Sequence, residues 1–223
     1  ASFDPEPEDI LTYSWDLNGD GVFADAYGAN PTIDWATLLT LGINDNGTYV
    51  VNVRASDGQG RVAYSKITPG SENLTVINAA PIASATPTVL AVREVSLTLF
   101  ASDPSPLDQA AGFLFEIDWN GDGRYDETVS GMSGTEITHV FETAGNHTIR
   151  MLAIDKEGGT SQIYSTTVTI ADAGIHQGNL IWLGTLGADS VAFDQTGPNQ
   201  VTLRNIQING VPSSAVRVFD GIT

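Results

Sequence analysis

Residues 16–21 read Asp-Leu-Asn-Gly-Asp-Gly, and residues 118–123 read Asp-Trp-Asn-Gly-Asp-Gly. In each run oxygen-bearing side chains stand at positions one, three and five, and the glycine at position six permits a sharp turn. Such alternation lets Asp16, Asn18 and Asp20, or Asp118, Asn120 and Asp122, converge on one point. The carbonyl of position seven, Val22 or Arg124, can add a ligand, and a further acid follows as Asp25 or Asp126. Every donor is a hard oxygen, which suits calcium rather than zinc or copper. Position twelve holds Tyr27 or Val129 instead of Glu, and no helical pattern flanks either loop, so the arrangement differs from a helix–loop–helix calcium hand. Two carboxylates about 5 Å apart repel by about 3 kcal/mol at an effective dielectric of about 20, so acids crowded on one turn call for a cation. Asn-Gly and Asp-Gly also make plain hairpin turns; the recurrence of the whole set is what favours the cation.

Other candidates carry less chemistry. Asp4, Glu8, Asp9, Asp57, Asp103, Asp108 and Asp155 fall near the ends of flanking strands, where they either complete a metal shell or, as expected here, accept backbone hydrogen bonds in turns. Trp15 and Trp119 follow the apolar alternation and are expected in the core. His139, His147 and His176 lack metal-ligand spacing. There is no Gly-x-Ser-x-Gly, His-Glu-x-x-His or phosphate loop, and acids packed within single turns do not face one another across a cleft as a glycosidase pair must. An enzyme is not expected.

The balance of charge agrees. The chain of 223 residues has 27 acidic and 9 basic side chains, a formal net charge of −18, and no cysteine. Nucleic-acid binding needs a basic face to displace phosphate counterions, and none exists, so no nucleic-acid partner is expected. No apolar run approaches the roughly 20 residues of a membrane span, so no membrane insertion is expected. Disulfides and thiolate metal sites are excluded. Of the acids 18 are Asp and 9 are Glu, a ratio typical of turns and oxygen-ligand loops rather than solvated helices.

The elements that hold these loops recur as well. Gly47–Asp57 matches Gly145–Asp155, and Asp4-Pro5 corresponds to Asp103-Pro104. The loops are offset by 102 residues and the later segments by 98, so one connection is four residues longer in the first copy. Leu11, Tyr13, Trp15 and Leu17 alternate with polar residues, as do Phe113, Phe115, Ile117 and Trp119. Period two marks half-buried strands. No helical stripe is evident, and short strands with regular turn signals predict β-sandwiches. The expected organisation is an all-β chain with two tandem sandwiches, 1–78 and 79–173, and a partial β-roll-like or β-rich repeat segment over 174–223. The second copy has about twenty strand-like residues before its Asp-Pro landmark and the first has three, so the chain reads as an excised piece. The first sandwich is expected to lack its opening strands and to expose an edge. Gly184–Val191 approximates the turn of a calcium-binding parallel β-roll, with Asp189 as its acid.

Tyr13-Ser14-Trp15-Asp16, Asn18-Gly19-Asp20-Gly21, Gly47–Val53 and Ala55-Ser56-Asp57-Gly58 resemble the polycystic-kidney-disease (PKD) domain. The second copy carries Ile117 in place of the family's Trp and His147 where Tyr is usual. The resemblance spans residues 1–172, and the tail from Gly178 resembles the start of hemolysin-type calcium-binding repeats. It implies immunoglobulin-like β-sandwiches of large extracellular bacterial proteins, acting as spacers or as adhesive modules that contact proteins or carbohydrates. The expectation is therefore a calcium-binding structural or adhesive spacer of a secreted or cell-surface protein, with calcium as cofactor. Its partners would be extracellular protein or carbohydrate surfaces and neighbouring repeats of the same polypeptide. An accessory module that binds glycan or protein for a secreted hydrolase is the alternative, with Tyr27, Trp35 and Trp182 as its only plausible platforms.

Overall fold

A computed structural model describes residues 9–65, 73–171, 173–176, 179–182, 190–208, 211–212 and 217–220. The chain is all-β, as expected, and divides into two compact units, Ala1–Ala79 with Pro104–Asp108, and Ala80–Asp103 with Gln109–Thr223.

In the first unit, β1 (Thr12–Asp16), β2 (Ala26–Tyr27), α1 (Trp35–Thr40), β3 (Gly47–Val50), β4 (Asn52–Ser56), β5 (Val62–Tyr64) and β6 (Asn73–Val76) follow in order. One sheet runs β2-β1-β4-β5, and β3 pairs with β6. Tyr13 stands opposite Ala55 and Trp15 opposite Val53. The sheet packs on the connection that carries α1, with Leu17, Ala26 and Ile43 buried and Trp15, Ile33, Leu38, Leu41, Tyr49, Val51, Leu74 and Val76 partly buried around them.

Helix α1 was not expected, and its cause is local. Asp34 is the N-cap and accepts from Thr37 N–H. At the other end Gly42 takes φ +79°, its N–H reaches Leu39 O, and Ile43 N–H reaches Leu38 O. That is a Schellman end, which pins Ile43 beneath Leu38. Six residues are too few for helical periodicity to show.

The second unit contains β7 (Ile82–Val89), β8 (Glu94–Ser102), β9 (Phe113–Asp118), β10 (Glu127–Gly131), β11 (Thr135–Val140), β12 (Gly145–Ile154) and β13 (Tyr164–Ile170). A second short helix, α2 (Pro106–Ala111), precedes β9. Ser105 Oγ accepts from Asp108 N–H, Pro106 opens the helix, and Gly112 follows it at φ +79°. Two sheets, β10-β9-β12-β13 and β11-β8-β7, face each other across one core. Val95, Leu97 and Leu99 come from one sheet, and Phe113, Phe115, Ile117, Ile149, Met151, Ala153, Val168 and Ile170 from the other. This is an immunoglobulin-like sandwich. Phe115 stands opposite Ala153 and Ile117 opposite Met151, the register of the first unit moved by 102 and 98 residues.

Beyond it, β14 (Ala173–His176) pairs with β15 (Asn179–Trp182). β16 (Ser190–Gly197) pairs with β17 (Gln200–Ile208), which also takes β18 (Val211–Pro212) and β19 (Arg217–Asp220). All these pairings are antiparallel, whereas a β-roll stacks parallel strands, so no such coil is present among the described residues. Asp4, Glu8 and Asp189 lie outside them. No helix among the described residues is long and apolar enough to cross a membrane.

Candidate functional site

Each acidic loop leaves the end of a central strand, β1 or β9, at a residue whose carboxylate is sealed from solvent. Asp16 is 0% exposed and Asp118 is 1% exposed. Asp16 Oδ1 accepts from Gly19 N at 2.7 Å and Asp20 N at 3.1 Å, and its Oδ2 accepts from Gly21 N at 3.1 Å. Asp118 repeats this with Gly121 N at 2.6 Å, Asp122 N at 3.2 Å and Gly123 N at 2.9 Å.

The correspondence continues around the loops. Asn18 Oδ1 accepts from Asp20 N, and Asn120 Oδ1 from Asp122 N. Asp20 Oδ1 accepts from Val22 N, and Asp122 Oδ1 from Arg124 N. Asp25 Oδ2 takes Leu17 N at 2.7 Å, and Asp126 Oδ2 takes Trp119 N at 2.8 Å. Asp25 and Asp126 stand at positions ten and nine, yet they do the same work. Both glycines of each loop adopt positive φ, at 76° and 84° in the first and 74° and 91° in the second. A side chain at these positions would be strained.

All ten loop residues singled out by sequence therefore gather in two like-built turns. The donor chemistry fits calcium, since every side-chain ligand available is a hard oxygen. The carboxylates, though, point at backbone N–H groups. Among the described residues neither Asp16, Asp20 and Asp25 nor Asp118, Asp122 and Asp126 form a trio within 4.8 Å of one another. Val22 O, one of the expected ligands, accepts from Ala24 N at 3.0 Å.

The surroundings differ. In the first unit Asn52, opposite Asp16, donates through Nδ2 to Asp16 Oδ2; in the second, Arg150 is the residue opposite Asp118. Burial, with Glu116 and Asp118 nearby, pushes the Tyr125 hydroxyl above its ordinary range against the pull of Arg150. Trp119, at position two of its loop, is buried. Its Nε1 donates to Glu127 Oε2 at 3.0 Å, and its ring stacks on His139 with centroids 4.4 Å apart. His139 and His147 both pack on Phe141. Burial, chiefly, lowers the His139 pKa, and His147 adds to this; Glu127, Asp126 and Glu142 pull the other way.

The flanking acids act as expected in turns. Asp57 Oδ1 accepts from Gln59 N and Arg61 N, and Asp155 Oδ1 from Glu157 N and Gly159 N. Asp103 and Asp155, both buried, bring carboxylate oxygens within 4.8 Å of each other. A signal for this second set existed in the repeated Asp-Pro-x-Pro-x-Asp of residues 4–9 and 103–108. Of the candidate aromatic platforms, Trp35 donates through Nε1 to Pro104 O at 3.0 Å, and Trp182 packs against Ala173, Leu203 and Ile206. Tyr27 is the exposed one, at 69%.

Comparison with known proteins gives the second unit a family. The PKD domain profile matches residues 82–168. No curated protein matches the chain. Among solved structures, the PKD domain of an M14-like peptidase from Thermoplasmatales archaeon SCGC AB-540-F20 is 24% identical, with a TM-score of 0.34, covering 42% of this chain and 98% of that one. The PKD1 domain of Vibrio anguillarum Epp is 21% identical, with a TM-score of 0.31, covering 43% and 100%. The fibronectin(III)-like modules of Clostridium thermocellum CbhA are 19% identical, with a TM-score of 0.34, covering 73% and 80%. Residues 82–168 are a PKD domain, a non-catalytic module common in extracellular proteins.

Proposed function

We propose that this chain is a calcium-stiffened spacer of a secreted or cell-surface protein, in which the first unit is a second, diverged PKD-type domain in tandem. The observation that carries this reading is the twin loop. Two units place the same acids at the end of the same strand and close them with the same hydrogen bonds. The recurrence of the whole oxygen set, with Asp25 and Asp126 reaching matching places from positions ten and nine, supports an ion in addition to the turn hydrogen bonds.

Asp16, Asn18, Asp20 and Asp25 would hold one ion, and Asp118, Asn120, Asp122 and Asp126 the other, with the carbonyls of Val22 and Arg124 as further oxygens. A bound ion supplies charge neutralisation and ties the loop to the strand end. Extracellular calcium modules bind at about 10⁻⁴–10⁻³ M. At about 100 times the dissociation constant, each site stabilises the folded chain by about 2.7 kcal/mol, against a domain stability of about 5–15 kcal/mol. The sites would be empty in a calcium-poor cytosol and filled after export, so rigidity would follow localisation. Its contacts would be protein or carbohydrate surfaces outside the cell and neighbouring repeats of its own polypeptide.

Differential scanning calorimetry with calcium and with chelator tests the reading. A domain of this size shifts its melting temperature by about 4–8 °C per kcal/mol, so calcium should raise it by roughly 10 °C or more. An unchanged melting temperature contradicts the proposal.

A further inference from the structure

One cross-strand row of the first unit differs in kind from its counterpart in the second. Strand pairing sets Tyr27 opposite Ser14, Ser14 opposite Arg54 and Arg54 opposite Tyr64, so these four side chains share one face of β2-β1-β4-β5. It is the face turned away from Trp15, which packs on the core. Tyr27 and Tyr64 are 69% and 58% exposed and stand three strand steps, or about 14 Å, apart. Between them Arg54 donates from Nε to Ser14 Oγ at 3.1 Å and lies over the Phe23 ring, 5.6 Å from its centroid. Phe23 in turn meets Tyr64 edge-on at 5.3 Å. Among the described residues no carboxylate pairs with Arg54, and the next row, Thr12, Ser56 and Val62, holds no acid either. In a chain with 27 acids and 9 bases, an unpaired guanidinium on an acid-free face is a cation left for a ligand. The second unit has Thr128, Glu116 and Leu152 at the matching places, with an anion where Ser14 stands and an apolar side chain where Arg54 stands.

We propose that this face binds an acidic polysaccharide, with a uronate carboxylate on Arg54 and sugar rings stacked on Tyr27 and Tyr64. The guanidinium fork matches a carboxylate in charge and geometry, and the Phe23 ring beneath it holds it in place. An exposed tyrosine presents an apolar ring to the C–H side of a sugar and a hydroxyl to its rim. The spacing of the two rings is about the length of a trisaccharide. An acidic peptide would meet the same charge, but a flat sheet face offers no pockets for its alternate side chains. A neutral glycan would leave the charge of Arg54 unmatched. The net charge of −18 repels a polyanion at long range and leaves recognition to the short-range pairing. The inference names a chemistry for the carbohydrate contact of the spacer reading and rests on that part of it alone. None of its residues is a proposed calcium ligand, so the test is run in chelator and its failure leaves the calcium reading standing.

The full chain, labelled with ¹⁵N and kept in chelator, is titrated with trigalacturonate, with maltotriose and with triglutamate. Trigalacturonate should give weak but saturable amide shifts at Ser14, Tyr27, Arg54 and Tyr64, with Glu116, Thr128 and Leu152 unmoved. Arg54→Gln, which keeps a donor for Ser14, should weaken binding about two- to fivefold. Tyr27→Ala and Tyr64→Ala should each weaken it about three- to tenfold; both are exposed positions, so these variants keep the fold and test the face even where Arg54→Gln does not. Absence of a saturable shift on this row, equal affinity for maltotriose or for triglutamate, or an affinity that the tyrosine substitutions leave unchanged would each overturn the proposal.

Discussion

In the second unit Phe115, Ile117 and Met151 are 0%, 0% and 1% exposed; at the same register positions in the first, Tyr13, Trp15 and Val53 are only half-buried. The strands pair alike, so the difference lies in what covers them. A three-stranded sheet, β11-β8-β7, lies over the second unit's ladder, bringing Val95, Leu97 and Leu99, all fully buried. The described residues of the first unit pack α1, its flanking connection and the two-stranded β3–β6 pair around their core, and three residues there are buried. Alternation in sequence fixes which face is apolar. It does not fix how deeply that face is buried, which depends on a partner element far along the chain. The acidic loops show the opposite behaviour: their hydrogen bonds are local, and both units keep them.

Four paired tests bear on this contrast. The largest effect is expected in the core. Phe115→Ala should cost about 3–5 kcal/mol, whereas Tyr13→Ala, at a half-exposed site, should cost about 1 kcal/mol. Denaturant unfolding of both variants measures this, and equal losses would show that the first ladder is as well covered as the second. The loops should instead respond alike. Asp16→Ala leaves Gly19 N–H and Gly21 N–H without an acceptor, and Asp118→Ala does the same to Gly121 and Gly123; each should cost about 1–3 kcal/mol. A loss confined to one unit would undo the equivalence of the loops.

Smaller effects separate the loops by their neighbours. A Cβ at Gly121 would sit 3.0 Å from Thr148 O, while one at Gly19 would sit 3.7 Å from Val50 O. Both positions pay the left-handed penalty of about 1–2 kcal/mol, and Gly121→Ala should exceed Gly19→Ala in thermal unfolding. Equal losses would mean that Thr148 yields freely.

The smallest effect is that of acid. All three histidines lie beyond residue 138, so the first unit has none. Because the His139 pKa is lowered in the fold, the neutral ring is favoured. The stability it contributes is complete above the ordinary value of about 6.5 and is lost as the pH falls through the lowered folded value. Melting of the second unit should therefore decline slightly between pH 7.5 and 5, and His139→Phe should remove that part of the decline. A decline of the same size in the variant would assign it to other groups.

Much of this was legible in the residues. The two-residue alternation named the core of β9 and β12, and the repeated Asp-x-Asn-Gly-Asp-Gly named both loops, because each depends on neighbours within a few residues. Helices α1 and α2 escaped notice because neither has a full amphipathic repeat; their signals were the caps, Asp34 with Gly42 and Ser105-Pro106 with Gly112. The β-roll-like or β-rich segment expected over 174–223 rests on one turn whose residues 184–189 lie outside the described residues; the strands described around it pair antiparallel, whereas a parallel roll requires stacked coils. The shortfall of burial around Tyr13 and Trp15 could not be read from their own segment, since the covering sheet of a sandwich is a non-local partner.

Isothermal titration of calcium into the chelator-stripped chain reads the ions themselves. Two sites per chain are expected in the submillimolar to millimolar range, falling to one with Asp122→Asn and to one with Asp20→Asn, exposed substitutions that retain an acceptor oxygen. Absence of saturable heat, or a stoichiometry that neither substitution changes, would contradict it.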